Sequence, residues 1–158
     1  MEAASAPVAL RQYLNGNWVE GEGRKITSVA AADESQVLAA GAAASEGQVD
    51  AAFAAAHQAK KSWAAVPMAT RAAILATAAG YLKEHAEQFG EELAAEEGKT
   101  RAEGIGEVLR AAQIFTYYAG ESDRAAGTVF QSPRHGEQIL VTHKPLGVVG
   151  IITPFNFP

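Results

Sequence analysis

No cysteine occurs in the 158 residues, which excludes disulfides, thiolate metal sites and a thiol nucleophile from this stretch of chain. A basic surplus is also lacking: 13 Lys+Arg against 18 Asp+Glu leave a formal net charge of -5. Little is therefore available to neutralise a phosphate backbone, and nucleic acid is not an expected partner. No apolar run approaches the ~18 residues that a transmembrane helix needs, so no membrane span is expected. Met1 to Arg11 has no basic stretch leading into an apolar one, so neither a signal peptide nor a transit peptide is read there, and a cytoplasmic location is the default. The four histidines, His57, His85, His135 and His143, are far apart and none stands in a HxxxH or HExxH pattern. No metal site is expected, and the histidines read as solvated or structural.

What remains is a chain with 48% hydrophobic residues, enough for one core and, by length, one domain. Tyr13, Leu14, Trp18 and Val19 flank Asn15-Gly16-Asn17, and Asn-Gly between apolar positions predicts a β-hairpin over Gln12 to Glu20. A second extended pair is expected over Lys25 to Val29 and Gln36 to Ala40, with a turn around Ala32 to Ser35. Ser45 with Gln48 forms a capping box. Behind it Val49, Ala52, Phe53, Ala56 and Ala59 recur at helical spacing, predicting a helix from about Glu46 to Lys61. From Thr70 the stripe Ile74, Ala78, Tyr81, Leu82, Ala86, Phe89 and Leu93 runs to a C-cap at Gly98, as one helix or as two abutting ones, with Gly90 the weak point. Ile105, Val108, Ala112, Phe115 and Ala119 mark a third helical run ending near Gly127, to which Gly104 and Gly106 are unhelpful. Gly104-Ile-Gly106 has neither a preceding strand nor a third glycine and is no dinucleotide fingerprint.

The period then changes. Gln138 to His143 reads as a strand, and the β-branched run Val148 to Ile152 reads as a strand buried on both faces of a parallel sheet. Such a strand needs neighbours and a crossover helix. Thr153-Pro-Phe-Asn-Phe-Pro158 follows it directly, so the fold is expected to be incomplete as given.

Pro145-Leu-Gly-Val-Val-Gly-Ile-Ile-Thr-Pro-Phe-Asn-Phe-Pro158 closely resembles the segment that opens the cofactor domain of the aldehyde dehydrogenase superfamily. Tyr13-Leu-Asn-Gly-Asn-Trp-Val19 resembles the first hairpin of that family, and Glu97-Gly-Lys-Thr100 its glutamate-glycine-lysine helix end. Glu107-Val-Leu-Arg110 and Tyr117-Tyr-Ala-Gly120 resemble the helix beyond. The resemblance runs in order from about Gln12 to Pro158. It implies an α/β fold in which N-terminal helices and β-hairpin arms lead into the first strand of a Rossmann-like parallel sheet. The implied division is 1–127 as hairpin and helical part, 128–146 as an arm resembling the oligomerisation strands, and 147–158 as first strand and oxyanion loop. One departure stands out: Ala30-Ala31 replaces the usual Asn-Pro before the second hairpin and removes a preset turn.

In that family a cysteine thiolate attacks an aldehyde, hydride passes to NAD or NADP, and a water activated by a glutamate hydrolyses the thioester. Asn156 matches the oxyanion asparagine, whose neutral NH2 donates without a charge that would hold the ground state too tightly; alone, Asn-Phe-Pro would read as a turn. Ile152, Thr153, Pro154 and Phe155 match the segment beside the cofactor, beyond the carboxyl end of a strand. Phe157 is either a substrate-tunnel residue or an ordinary core aromatic. Arg110, near the family's substrate entrance, either pairs with an acid or phosphate on the substrate or is a solvated surface arginine. The resemblance also implies a homo-oligomer, dimer or tetramer, joined through strands like Gln138 to His143. The nucleophilic cysteine, the general-base glutamate and the residues holding the adenosine ribose belong to sequence beyond Pro158, so this polypeptide is not expected to oxidise aldehydes by itself. The rival reading is a non-catalytic helical and β-arm module for binding or assembly, which helical stripes and edge strands suit equally well.

Overall fold

The computed structural model describes residues 6–124 and 126–157; Pro158, the last residue of the motif above, lies outside them. The first elements are short strands: β1 (Val8–Leu10), β2 (Gln12–Leu14), β3 (Asn17–Val19), β4 (Lys25–Ala30) and β5 (Asp33–Ala42). Asn15 (φ 47) and Gly16 (φ 82) both adopt left-handed backbone, the conformation that matches a two-residue turn to the twist of its strands. Tyr13 and Trp18 are then paired across β2 and β3, ring centroids 5.1 Å apart. β4 and β5 form the expected second hairpin, with irregular register at Val29. β1, which sequence did not suggest, pairs in parallel along the other edge of β5. The Ala30-Ala31 turn is anchored from outside. Ala31 donates its N–H to Ala95 O at 3.0 Å, a bond that proline could not make, and the Ser28 hydroxyl bonds the Glu96 carboxylate.

Four helices follow: α1 (Glu46–Ala65), α2 (Met68–Glu84), α3 (Ala86–Glu97) and α4 (Arg101–Ala119), then a short 3-10 turn, Gly120–Asp123. The Ser45–Gln48 capping box forms both of its bonds. The Gln48 carboxamide also joins Glu20 O and Glu22 N, tying the start of α1 to the segment after β3. α1 runs past Lys61 to Ala65 and stops before Pro67, where the chain bends by 116° into α2. No single helix among the described residues is long and apolar enough to cross a membrane.

The break in the second helical stretch falls at His85 (φ -105, ψ 18) and not at Gly90. Gly90 is helical and buried because α4 crosses it backbone to backbone. A Cβ on Gly90 would lie 2.5 Å from Ile105 N, and one on Gly104 would lie 2.2 Å from Gly90 O. The core among α2, α3 and α4 is made of small residues, Ala72, Ala79, Ala86, Val108 and Ala112. Ile74 and Tyr81, expected on the buried stripe of α2, are exposed; its buried face is carried by Ala72 and Ala79.

Beyond the helices, β6 (Gly127–Gln131) and β7 (Gln138–Thr142) form an antiparallel hairpin, every strand residue of which is exposed. β7 is the expected strand; β6 was read as no element. Val148 to Ile152, expected as a buried parallel strand, is not a strand. Its backbone has no strand partner among the described residues, and a strand is defined by that pairing. The run lies instead against Val49 and Phe53 of α1, with Ile152 97% exposed.

The glycine crossing gives a direct stability test. Gly104→Ala is expected to destabilise the protein by about 1–3 kcal/mol through overpacking. Gly80→Ala, at a helical position with nothing within 4 Å of the added methyl, should stabilise it by about 0.5–1 kcal/mol. Thermal and urea unfolding of the two variants reads the difference, and equal stabilities would reject the crossing as a packing constraint.

Candidate functional site

The site is organised by the elbow between α3 and α4. Gly98 ends α3 in left-handed backbone (φ 78). Thr100 caps α4 through a box with Glu103: Thr100 N donates to Glu103 Oε2 at 2.9 Å, and Glu103 N donates to Thr100 Oγ1 at 3.3 Å. The Thr100 hydroxyl, then its N–H, hold the Glu103 carboxyl below the usual carboxylate range. Lys99 is thus a single residue between two fixed helix ends. Its ammonium lies 2.5 Å from both Glu107 Oε1 and Glu97 Oε2, and its side chain is only 14% exposed. The hydrogen bond to Glu107, then that to Glu97, raise its pKa above the ordinary lysine value.

From this elbow α4 forms one wall of an open hollow of about 830 Å³, with Glu103, Glu107, Arg110 and Ile114 turned to it; Asn156 and Phe157 line the opposite side. The three residues read from sequence as oxyanion donor and substrate contacts, Asn156, Phe157 and Arg110, are therefore brought together. Asn156 stands in a turn with Phe155, and its carboxamide makes no hydrogen bond among the described residues. Arg110 Nη1 donates to Gln113 Oε1 at 3.2 Å and has no carboxylate partner there. Both carboxylates near Lys99 are already engaged with it, so Arg110 is the cation of this wall with charge to offer.

Ile152, Thr153, Pro154 and Phe155 do not line this hollow. Ile152 borders a second one, about 580 Å³, between α1 and Val148 to Ile152, while Phe155 is 92% exposed. Lys99, Glu103 and Glu107 were missed as wall residues. Thr100-x-x-Glu103 carries a visible capping signal, but that Lys99 meets Glu107, eight residues away, follows only from the geometry of two helix caps in succession.

The profile of the aldehyde dehydrogenase family matches residues 18–158. The chain belongs to the aldehyde dehydrogenase family. An α-ketoglutarate semialdehyde dehydrogenase of Haloferax volcanii is 36% identical over 149 residues, covering 94% of this chain and 31% of that protein. An NAD-dependent benzaldehyde dehydrogenase from Corynebacterium glutamicum superposes with a TM-score of 0.84 at 38% identity, covering 94% of this chain and 32% of that one. An NADP-dependent glyceraldehyde-3-phosphate dehydrogenase from Bacillus halodurans, solved with NADP, superposes with a TM-score of 0.86 at 33% identity, covering 97% and 33%. The chain spans about a third of the length of the aldehyde dehydrogenases it matches. The mixed α/β architecture is theirs.

Ile152 to Phe155 fit a dinucleotide in part. Ile152 and Phe155 present exposed apolar side chains, and the backbone of Ile152 and Thr153 makes no hydrogen bond among the described residues, which suits the flank of a flat ring and its sugar. No lysine, arginine or helix N-terminus stands among them, so their chemistry would suit one wall of such a site and not its phosphate contacts.

Proposed function

We propose that this segment is the N-terminal part of an NAD(P)-dependent aldehyde dehydrogenase that oxidises an aldehyde to a carboxylic acid through a cysteine thiohemiacetal and a thioester. The observation that carries the reading is the convergence of Asn156, Phe157 and Arg110 on one hollow, the Asn156 carboxamide making no hydrogen bond among the described residues, in a chain of this family. NAD or NADP supplies hydride acceptance when bound, and Ile152, Thr153, Pro154 and Phe155 would flank it. The segment's own contribution to the chemistry is a donor. When the aldehyde carbon becomes tetrahedral its oxygen takes negative charge, and an amide NH2 fixed beside it lowers that charge's energy without attracting a competing anion. With no cysteine in the segment, turnover requires sequence beyond it. Residues 1–127 serve as hairpin and helical part, 128–146 as the arm, and 147–158 as first strand and oxyanion loop once further strands cover Val148 to Ile152.

If Asn156 is the donor, Asn156→Ala in the complete enzyme should lower kcat by ~10²–10³, roughly 2.7–4 kcal/mol of transition-state stabilisation, with folding and NAD(P) affinity little changed. Asn156→Asp should be at least as damaging, since a carboxylate removes the donor and opposes the developing charge. A well-folded Ala variant with near-normal kcat would reject the assignment.

The substrate we propose is an acidic semialdehyde, because Lys99 is neutralised while Arg110 is not. Arg110→Ala should raise KM for acidic aldehydes about tenfold or more, in line with the loss of a charge-assisted hydrogen bond. An equal rise for benzaldehyde would remove the idea.

Assembly is proposed through the β6–β7 hairpin, whose exposed Val129, Phe130, Ile139 and Leu140 and open edges suit a second copy. Light scattering of the complete enzyme should give a dimer or tetramer; a strict monomer would count against it.

A further inference from the structure

Lys99 makes one contact that the oxyanion chemistry does not call on. The ring of Phe157 lies with its centroid 5.9 Å from Lys99 Nζ, within the range of a cation–π attraction. Phe157 is the neighbour of Asn156 and is otherwise two-thirds exposed (66%). No side chain from Thr153 to Phe157 makes a hydrogen bond to the helices among the described residues.

Lys99 is well built to hold something. Lysine is long, strongly hydrated and seldom buried, yet here the backbone on both sides is fixed by helix caps and the ammonium is held by two carboxylates. Rotamer freedom that an exposed lysine would keep is already lost, so docking a ring on it costs little further entropy. The same carboxylates argue against a direct electrostatic role: with two anions at 2.5 Å, the cluster as a whole is not positive. Any influence of Lys99 on the oxyanion has to pass through what it touches.

We propose that Lys99 is a positioning residue for the loop that bears Asn156. Its carboxylate-held ammonium docks the ring of Phe157, and the docked ring sets where the Asn156 carboxamide points. The inference rests on the oxyanion reading of Asn156 and adds to it the group that orients the donor.

The test is a set of variants of the complete enzyme read by kcat and aldehyde KM. Phe157→Leu and Lys99→Met should each lower kcat about twofold, the low end for an exposed cation–π contact because two carboxylates already compensate the ammonium. The double variant should lose no more than the worse single. Lys99→Arg, which keeps a cation, should recover most of what Lys99→Met loses. Should Lys99→Met fail to fold with Glu97 and Glu107 left facing each other, Lys99→Met combined with Glu97→Gln removes the ammonium without leaving two facing carboxylates, and its kcat against that of Glu97→Gln alone gives the same reading. In an Asn156→Ala background the Lys99 and Phe157 changes should have no further effect on kcat. Additive losses in the double variant, or a persisting fall in that background, would overturn the positioning role while leaving the oxyanion donor standing. Wild-type kcat in Asn156→Ala alone would overturn the donor itself.

Discussion

The backbone contact between α3 and α4 at Gly90 and Gly104 sets the geometry on which the site depends. With glycine on both sides the helix axes approach as closely as main chains allow, and side chains that would hold them apart are absent. Each glycine costs a helix roughly 0.5–1 kcal/mol relative to alanine, an expense that only a close approach repays. Once α3 and α4 are fixed, their connection has almost no freedom. A left-handed glycine ends one helix, a threonine caps the next, and Lys99 sits between them. Glu97 and Glu107, from the two helices, then meet on the same ammonium, and the wall facing Asn156 inherits its charge pattern from the crossing.

That charge pattern separates two cations with different work. Lys99 is enclosed and compensated, so it acts as part of the scaffold. Arg110, three residues beyond Glu107 on α4, reaches only a neutral glutamine and stays exposed at the hollow. A guanidinium is less strongly hydrated than an ammonium and presents a planar fork that suits a carboxylate. The compensated cation is therefore the one that meets Phe157, and the uncompensated one lies further along α4 on the wall of the same hollow.

Local chemistry was legible in the sequence wherever a few adjacent residues decide the conformation. Asn15-Gly16 forced its turn, and Ser45 with Gln48 started α1 at the expected residue. Where the deciding partner is distant, sequence gave less. β1 is three residues long and exists because the edge of β5 is there to pair with. Gly90 reads as a helix weakener until Gly104 is known to lie against it, and the break is found five residues earlier, at His85. Ala30-Ala31 reads as a lost turn until Ala95 is found accepting the Ala31 N–H. Resemblance singled out Asn156, Phe157 and Arg110, which the structure places around one hollow, and it also quoted Glu97, Lys99 and Glu107 within two motifs, but that these three meet follows only from the capping geometry.

Val148 to Ile152 shows the reverse case, in which sequence describes an environment that the chain alone does not provide. Continuous β-branched residues belong where both faces are covered, and here one face meets only α1 while the other is open. A strand cannot hold its shape by side-chain preference alone, since its backbone bonds must come from neighbours. The loop that follows inherits this dependence. In a covered sheet, the end of a parallel strand would aim Asn156; in this segment the contact made beside it is that of Phe157 with Lys99. If Asn156 is the donor we propose, two supports would suit it, because a hydrogen bond that must be reoriented during reaction returns much of its stabilisation. On that proposal the elbow holds one side of the loop through the Lys99–Phe157 contact, and the strand, once covered, holds the other.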